Sequence, residues 1–141
     1  MKNLITIIIG LFLLTHATQI KAQNTAHKVV FQFTNANDTL QQKAFVKQLE
    51  NLTGFWPEAQ IEVVLYNQGV ELVMLNNTTY VDRVKALHQQ GVRFVICENT
   101  LKNRKIGKDA FDAEWVEFTP AGIAEIVLKQ EQGWSYIKGG F

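Results

Sequence analysis

The sequence predicts an α/β domain built on a mainly parallel, five-stranded sheet with helices on both faces. Two observations predict it. Short apolar runs rich in β-branched and aromatic residues alternate with stretches of helical periodicity. Residues that start and stop helices fall between the two kinds of segment. Strands that alternate with helices pair in parallel, through right-handed crossovers.

Taken in order, Lys28–Phe33 is an apolar run of strand type, and Asn35-Ala36-Asn37-Asp38 is a loop of turn formers. Asp38 can cap a helix, with Gln41 completing a capping box. Leu40, Ala44, Phe45, Leu49 and Leu52 recur at helical spacing, and Gly54 and Pro57 stand at the end. Ile61–Tyr66 is the second strand, broken by Asn67-Gln68-Gly69. Val70–Leu75 is apolar but short, and reads as an irregular segment or a short helix. Thr79 with Asp82 is placed to cap the next helix, which Gly91 terminates. Val92–Ile96 is the third strand, with Cys97 at its carboxyl end and a short basic segment running from there to Lys108. Trp115–Phe118 is the fourth strand. Thr119 and Pro120 suit a cap and first turn, and Ile123, Ala124, Val127 and Leu128 give the helix that follows an apolar face. Gly133 ends that helix, and Trp134–Ile137 is the last strand.

The first residues have a different character. One basic residue, Lys2, precedes the uncharged run Leu4–Leu14, and small residues follow up to Ala22. This is the layout of a secretory signal, with cleavage expected after Ala22 and Ala17 as the second choice. The apolar run is shorter than the roughly 20 residues of a membrane span, which makes a retained anchor the weaker reading. No cysteine lies near the cut to take a lipid. The expected organisation is a signal peptide over residues 1–22 and one domain over 23–141, periplasmic or secreted.

Of 14 Lys and Arg, Lys2 and Lys21 lie in the leader, against 13 Asp and Glu, so the mature charge is close to neutral. That balance argues against nucleic acid or an anionic membrane as partner. Neither His27 nor His88 has ligand-like spacing around it, and the glycines are scattered singly, so neither a metal nor a nucleotide cofactor is expected.

The one cysteine, Cys97, cannot form an internal disulfide. In open parallel sheets, ligands bind beyond the carboxyl ends of the strands. That rule selects Asn35 and Asn37 after the first strand, Tyr66 and Asn67 after the second, and Cys97, Glu98 and Asn99 after the third. Cys97 is the group with intrinsic nucleophilicity near neutral pH. Its place at a strand-to-helix junction, with Lys102, Arg104, Lys105 and Lys108 downstream, favours a thiolate, whereas the adjacent Glu98 opposes it. The plainer readings are a small buried hydrophobe for Cys97, a solvated loop for the basic run, and turn residues for Asn35 and Asn37.

The stretch Gly91–Leu101, with its Cys-Glu-Asn-Thr-Leu segment, resembles the exported branch of the DsrE/DsrF-like sulfur-relay family. The opening Lys28–Asp38 and the closing Val116–Glu125 and Gln130–Lys138 are similar to that family too. The resemblance implies a three-layer α/β/α sandwich, homo-oligomers (dimers, trimers or hexamers), and a persulfide carried on Cys97. Backbone N–H groups, with Asn35 and Asn99, would stabilise the anionic sulfur. A sulfur donor or acceptor protein is then the expected partner. The alternatives are a non-enzymatic oligomeric module that binds a small anion or a partner while Cys97 is incidental, and a thiol redox sensor.

Overall fold

The computed structural model describes residues 26–77 and 79–141. The expected signal peptide lies outside the described residues. Five strands form one sheet: β1 (Lys28–Phe33), β2 (Gln60–Leu65), β3 (Arg93–Cys97), β4 (Val116–Thr119) and β5 (Ser135–Lys138). Their order is β4-β3-β2-β1-β5, and every pairing is parallel. Four helices join them: α1 (Thr39–Phe55), α2 (Val81–Gln89), α3 (Glu98–Arg104) and α4 (Gly122–Glu131). Val70–Leu75, read from sequence as irregular or briefly helical, lies largely in a 3-10 helix over Asn67–Val73.

Alternation along the strands divides the residues between two faces. On one face Val29, Phe31, Phe33, Ile61, Val63, Leu65, Phe94 and Ile96 meet Phe45, Val46 and Leu49 of α1 and Val84 and Leu87 of α2 in the main core. The Phe45 ring stacks on Phe33 at a centroid distance of 4.3 Å. On the other face, among the described residues, α4 covers the sheet, and Val30 and Val64 meet Ile126 in a small second core beside Tyr66 and Trp134. The three layers are therefore α1 and α2 with Leu101 of α3, then the sheet, then α4.

Helix boundaries differ from the sequence reading where a distant group competes for the cap. Asp38 caps α1 by accepting from Leu40 N at 2.8 Å, but Gln41 does not close a capping box. Its amide instead holds the C-terminal Phe141, donating to the carbonyl and accepting from the N–H, each at 3.0 Å. The α1 helix runs through Gly54 to Phe55, and Leu40 is exposed rather than part of the apolar stripe. Thr79 does not cap α2; Tyr80 stands at that position without a side-chain bond. The last helix begins later than expected, at Gly122 with Ala121 as its cap residue, and Thr119 instead donates its hydroxyl to Glu125 at 3.3 Å. Gly91 and Gly133 end α2 and α4 with φ of +96° and +83°, values that favour glycine.

The largest departure concerns α4. The apolar set Ile123, Ala124, Val127 and Leu128 points away from the sheet. The face turned inward carries Glu125 and Lys129. Lys129 reaches the fully buried Glu62 of β2 at 2.8 Å and Glu125 at 3.5 Å, while Arg93 of β3 reaches Glu62 at 2.7 Å. Arg93 also pairs with Glu117 of β4. Burial pushes the Glu62 carboxyl up, against the pull of Lys129 and Arg93. Its second oxygen, Oε1, lacks a hydrogen-bond partner.

Candidate functional site

Cys97 ends β3 with extended backbone (φ −74°, ψ 113°), and α3 starts at the next residue. Its register partner is Thr119, the last residue of β4. The thiol lies on the face covered by α4. The backbone N–H of Gly122 donates to Sγ at 3.2 Å. Space there favours glycine: a Cβ on residue 122 would stand 3.1 Å from Cys97 Cβ and from Val64 Cγ1, so these side chains would have to give by a few tenths of an ångström, and 3.4 Å from Tyr66 Cδ1.

Burial is the largest single influence on the thiol, and it disfavours the charged form. It is outweighed by donors that favour the thiolate: the N–H groups of Gly122, Thr100 and Asn99, and the Thr100 hydroxyl. The thiol is held below its ordinary value. This decides the balance that the sequence leaves open, and neither the basic run nor Glu98 decides it. Glu98 is ion-paired with Lys108, and Arg104 with Glu71. The sulfur is enclosed: Cys97 is 6 % exposed. The turn Pro120–Gly122 is fastened beside it, since Asn99 N donates to Pro120 O at 3.3 Å.

Tyr66 shares this face, with Gln32 Nε2 donating to its hydroxyl at 2.5 Å. The side-chain oxygen Oε1 of Gln32 accepts in turn from the hydroxyl of Tyr136 on β5. Burial, with Tyr136 and Cys97 nearby, pushes the Tyr66 phenol up, so it stays protonated through the neutral range. A phenol–amide–phenol chain thus runs from beside the thiol to the exposed Tyr136.

The other residues selected from sequence gather elsewhere. A cleft of about 360 Å³ lies between Ala36, Gln42, Glu71, Asn77, Arg104 and Ile106. A second, of about 370 Å³, lies between Thr34, Asn67, Gln68 and Arg104. Cys97 lines neither. Asn37 joins this neighbourhood, donating to Glu71 and accepting from Gln68 Nε2 at 2.9 Å once its amide is oriented to suit them. Asn67 takes a left-handed conformation (φ 51°), and its carbonyl accepts from Arg104 at 2.8 Å. Asn35 is exposed and lines neither cleft. Glu98 turns to Lys108, and Asn99 contributes its backbone N–H rather than its exposed side chain.

The structure therefore brings Cys97, Tyr66 and the Asn99 backbone together, and places Asn37 and Asn67 apart from them. Thr100 joins the two neighbourhoods: its hydroxyl accepts from Asn67 N at 3.1 Å while it supports the thiolate. Sequence reasoning missed Gln32, Thr100, Gly122, Tyr136 and the buried Glu62. Gln32 and Glu62 each carried a signal, as single polar residues inside apolar strands. Among the described residues, no three His, Cys, Asp or Glu side chains gather as metal ligands.

The DsrE/DsrF-like family model matches residues 11–138. A solved structure of a protein of unknown function from Methanobacterium thermoautotrophicum is 32% identical, with a TM-score of 0.73, covering 79% of this chain and 98% of that one. A conserved protein of unknown function from Bacteroides thetaiotaomicron is 18% identical with a TM-score of 0.61, covering 79% and 93%, and at that identity it shares the fold alone. No curated protein matches the chain.

Proposed function

The chain belongs to the DsrE/DsrF-like family, and on that premise we propose that it is an exported carrier of sulfane sulfur, held as a persulfide on Cys97. The observation that carries this reading is the Gly122 N–H on Cys97 Sγ, within a set of donors that lowers the thiol's proton affinity. A thiolate is the form that attacks sulfur.

In the loading step the Cys97 thiolate attacks the outer sulfur of a persulfide or polysulfide donor. The donor's S–S bond breaks, the donor leaves as a thiolate, and Cys97 becomes Cys–S–S⁻. One S–S bond forms as one breaks, so no external oxidant is needed. Unloading is the same exchange onto an acceptor thiolate. The N–H groups that favour the thiolate would serve the persulfide anion equally, with its outer sulfur directed past the Pro120–Gly122 turn. The role is that of a carrier or sulfurtransferase-like partner, directed outside the cytoplasm by a signal over residues 1–22.

The test is to treat the protein with polysulfide and weigh it intact. Wild type should gain about 32 Da, one sulfur atom, and Cys97→Ser should not. No gain on wild type, or an equal gain on Cys97→Ser, ends the proposal.

The enclosure of Cys97 at 6 % exposure favours a second reading. In it the Arg104 clefts bind a small anion or a partner, and the cysteine is a packed core residue. A thiol-reactive dye separates the two: labelling of the folded protein supports the carrier, and labelling only after unfolding supports the binding module.

A further inference from the structure

The strand order reverses once, at β1, which has β2 on one side and β5 on the other. In open α/β sheets the crevice beyond the carboxyl ends of the strands at such a reversal is where ligands bind. Residues 139–141, which leave β5 at its carboxyl end, fill that crevice. Gly139 N donates to the backbone oxygen of Gln32 at 2.7 Å. Gln48 of α1 holds both backbone groups of Gly140: its Nε2 donates to the carbonyl at 2.8 Å, and its Oε1 accepts from the N–H at 3.0 Å. Gln41 holds Phe141 in the same way, with both bonds at 3.0 Å. The two glutamines lie about two turns apart, on one flank of α1.

The crevice reads backbone and excludes side chains at its first two positions. A Cβ on residue 139 would stand 2.5 Å from two atoms of the Phe45 ring, which is packed in the main core and cannot give way cheaply. Residue 140 has a φ of +85°, a conformation that glycine adopts freely and other residues rarely do. Both glycines are buried, whereas the side chain of Phe141 points outward and is 70 % exposed. We propose that this crevice is a binding site for an extended Gly-Gly-X backbone, in which residues 139–141 are the resident occupant and give way to the same kind of segment from a partner protein.

The resident is held by hydrogen bonds and not by a buried side chain, so it can open without disturbing the core. Opening strips both glutamine amides and the Gln32 carbonyl of their partners and bares the Phe45 ring. What refills the crevice must offer a donor and an acceptor to each amide and carry no side chain past Phe45. A second glycine-rich backbone meets both conditions, as in other sites where main-chain bonds give affinity and shape gives specificity. A small anion could use only the two Nε2 donors. The inference does not depend on sulfur chemistry at Cys97.

The probe is a fluorescent peptide with the sequence of residues 135–141, and binding is read by anisotropy. Gly139→Val in the full chain, checked for folding by circular dichroism, expels the resident and leaves the clamp intact. The probe should bind this variant at least about tenfold more tightly than wild type, whose own tail competes at an effective concentration in the millimolar range. A probe with valine in place of its first glycine should not bind, and adding Gln41→Ala and Gln48→Ala to the variant should abolish binding. Should Gly139→Val fail to fold, amide hydrogen exchange on wild type decides. The N–H groups of Gly140 and Phe141 should exchange more slowly than in the free peptide, and excess unlabelled peptide should speed them by displacing the tail while β1 is unaffected. No binding to a folded Gly139→Val, equal binding of the valine probe, or tail exchange that excess peptide leaves unchanged would overturn the proposal.

Discussion

Gly122 and Cys97 stand far apart in the chain, yet the backbone N–H of one lies 3.2 Å from the sulfur of the other. The contact joins the start of α4 to the end of β3, and it brings Cys97 so near that a side chain on residue 122 would crowd it. Substituting it acts on packing and on the thiol together. Gly122→Ala should cost about 1–3 kcal/mol, the usual range for overpacking. It should also raise the thiol's pKa as the turn moves away. Urea unfolding measures the first effect and alkylation rate against pH the second. A variant with wild-type stability and an unchanged alkylation profile would refute this.

The donors around Cys97 make a prediction for the unaltered protein. A folded-state thiol below its unfolded value near 8.5 favours folding as pH rises between the two values, and that contribution is lost as pH falls through the folded value. Thiolate absorbance near 240 nm should therefore appear at lower pH in the folded protein than in urea. Coincident titrations would show that burial cancels the donors, and a higher folded value that it outweighs them.

Thr100→Val tests the joint between the two neighbourhoods. It removes the acceptor for Asn67 N and one donor to the thiolate while preserving shape. Leaving a partly buried N–H unsatisfied should cost about 1–3 kcal/mol. The thiol titration should move upward in the same variant, which a purely structural role for Thr100 would not produce.

Lys129→Met should be among the most damaging changes away from the main core. It leaves the fully buried Glu62 with Arg93 as its remaining partner, and breaking a buried pair in this way costs about 3–5 kcal/mol. The pH dependence has a definite sign. Burial raises the Glu62 carboxyl, so the folded state binds more protons than the unfolded state just above the ordinary carboxylate value of about 4.3. This group's contribution to stability then falls as pH rises through that window. In urea titrations at pH 4 to 7, the stability difference between Glu62→Gln and wild type should shift toward the variant as pH rises. A constant difference would mean that Lys129 and Arg93 fully offset burial.

Much of the architecture was legible in the residues. The strand Lys28–Phe33 was read with its observed limits, because its Val and Phe run sits inside the sheet, between β2 and β5, with both faces covered. Cys97 was legible as the end of β3, since the apolar run stops there. The side to which α4 turns was not legible: periodicity shows that Ile123, Val127 and Leu128 share a flank, while the flank that goes in holds Lys129, paired with Glu62 across the sheet, and Ile126, packed on Val30 and Val64. The capping box failed for a similar reason, since Gln41 is claimed by Phe141 at the other end of the chain. Gly122 was invisible as a site residue because its contribution is a close approach that exists only once β3 and α4 are assembled, and Thr100 because its hydroxyl meets Asn67 N only once α3 packs beside the end of β2.

The all-parallel strand order has a consequence for the timing of assembly. Each pairing must close a long loop, and the widest is the last, in which Val29 meets Ser135. Chains dominated by such distant pairings fold slowly. The strand β1 can zip to β2 early, but its opposite margin stays bare until β5 has been made. A product truncated before Ser135 would therefore expose a long apolar strand to any neighbour able to pair with it, and its characteristic failure would be aggregation rather than simple loss of a tail.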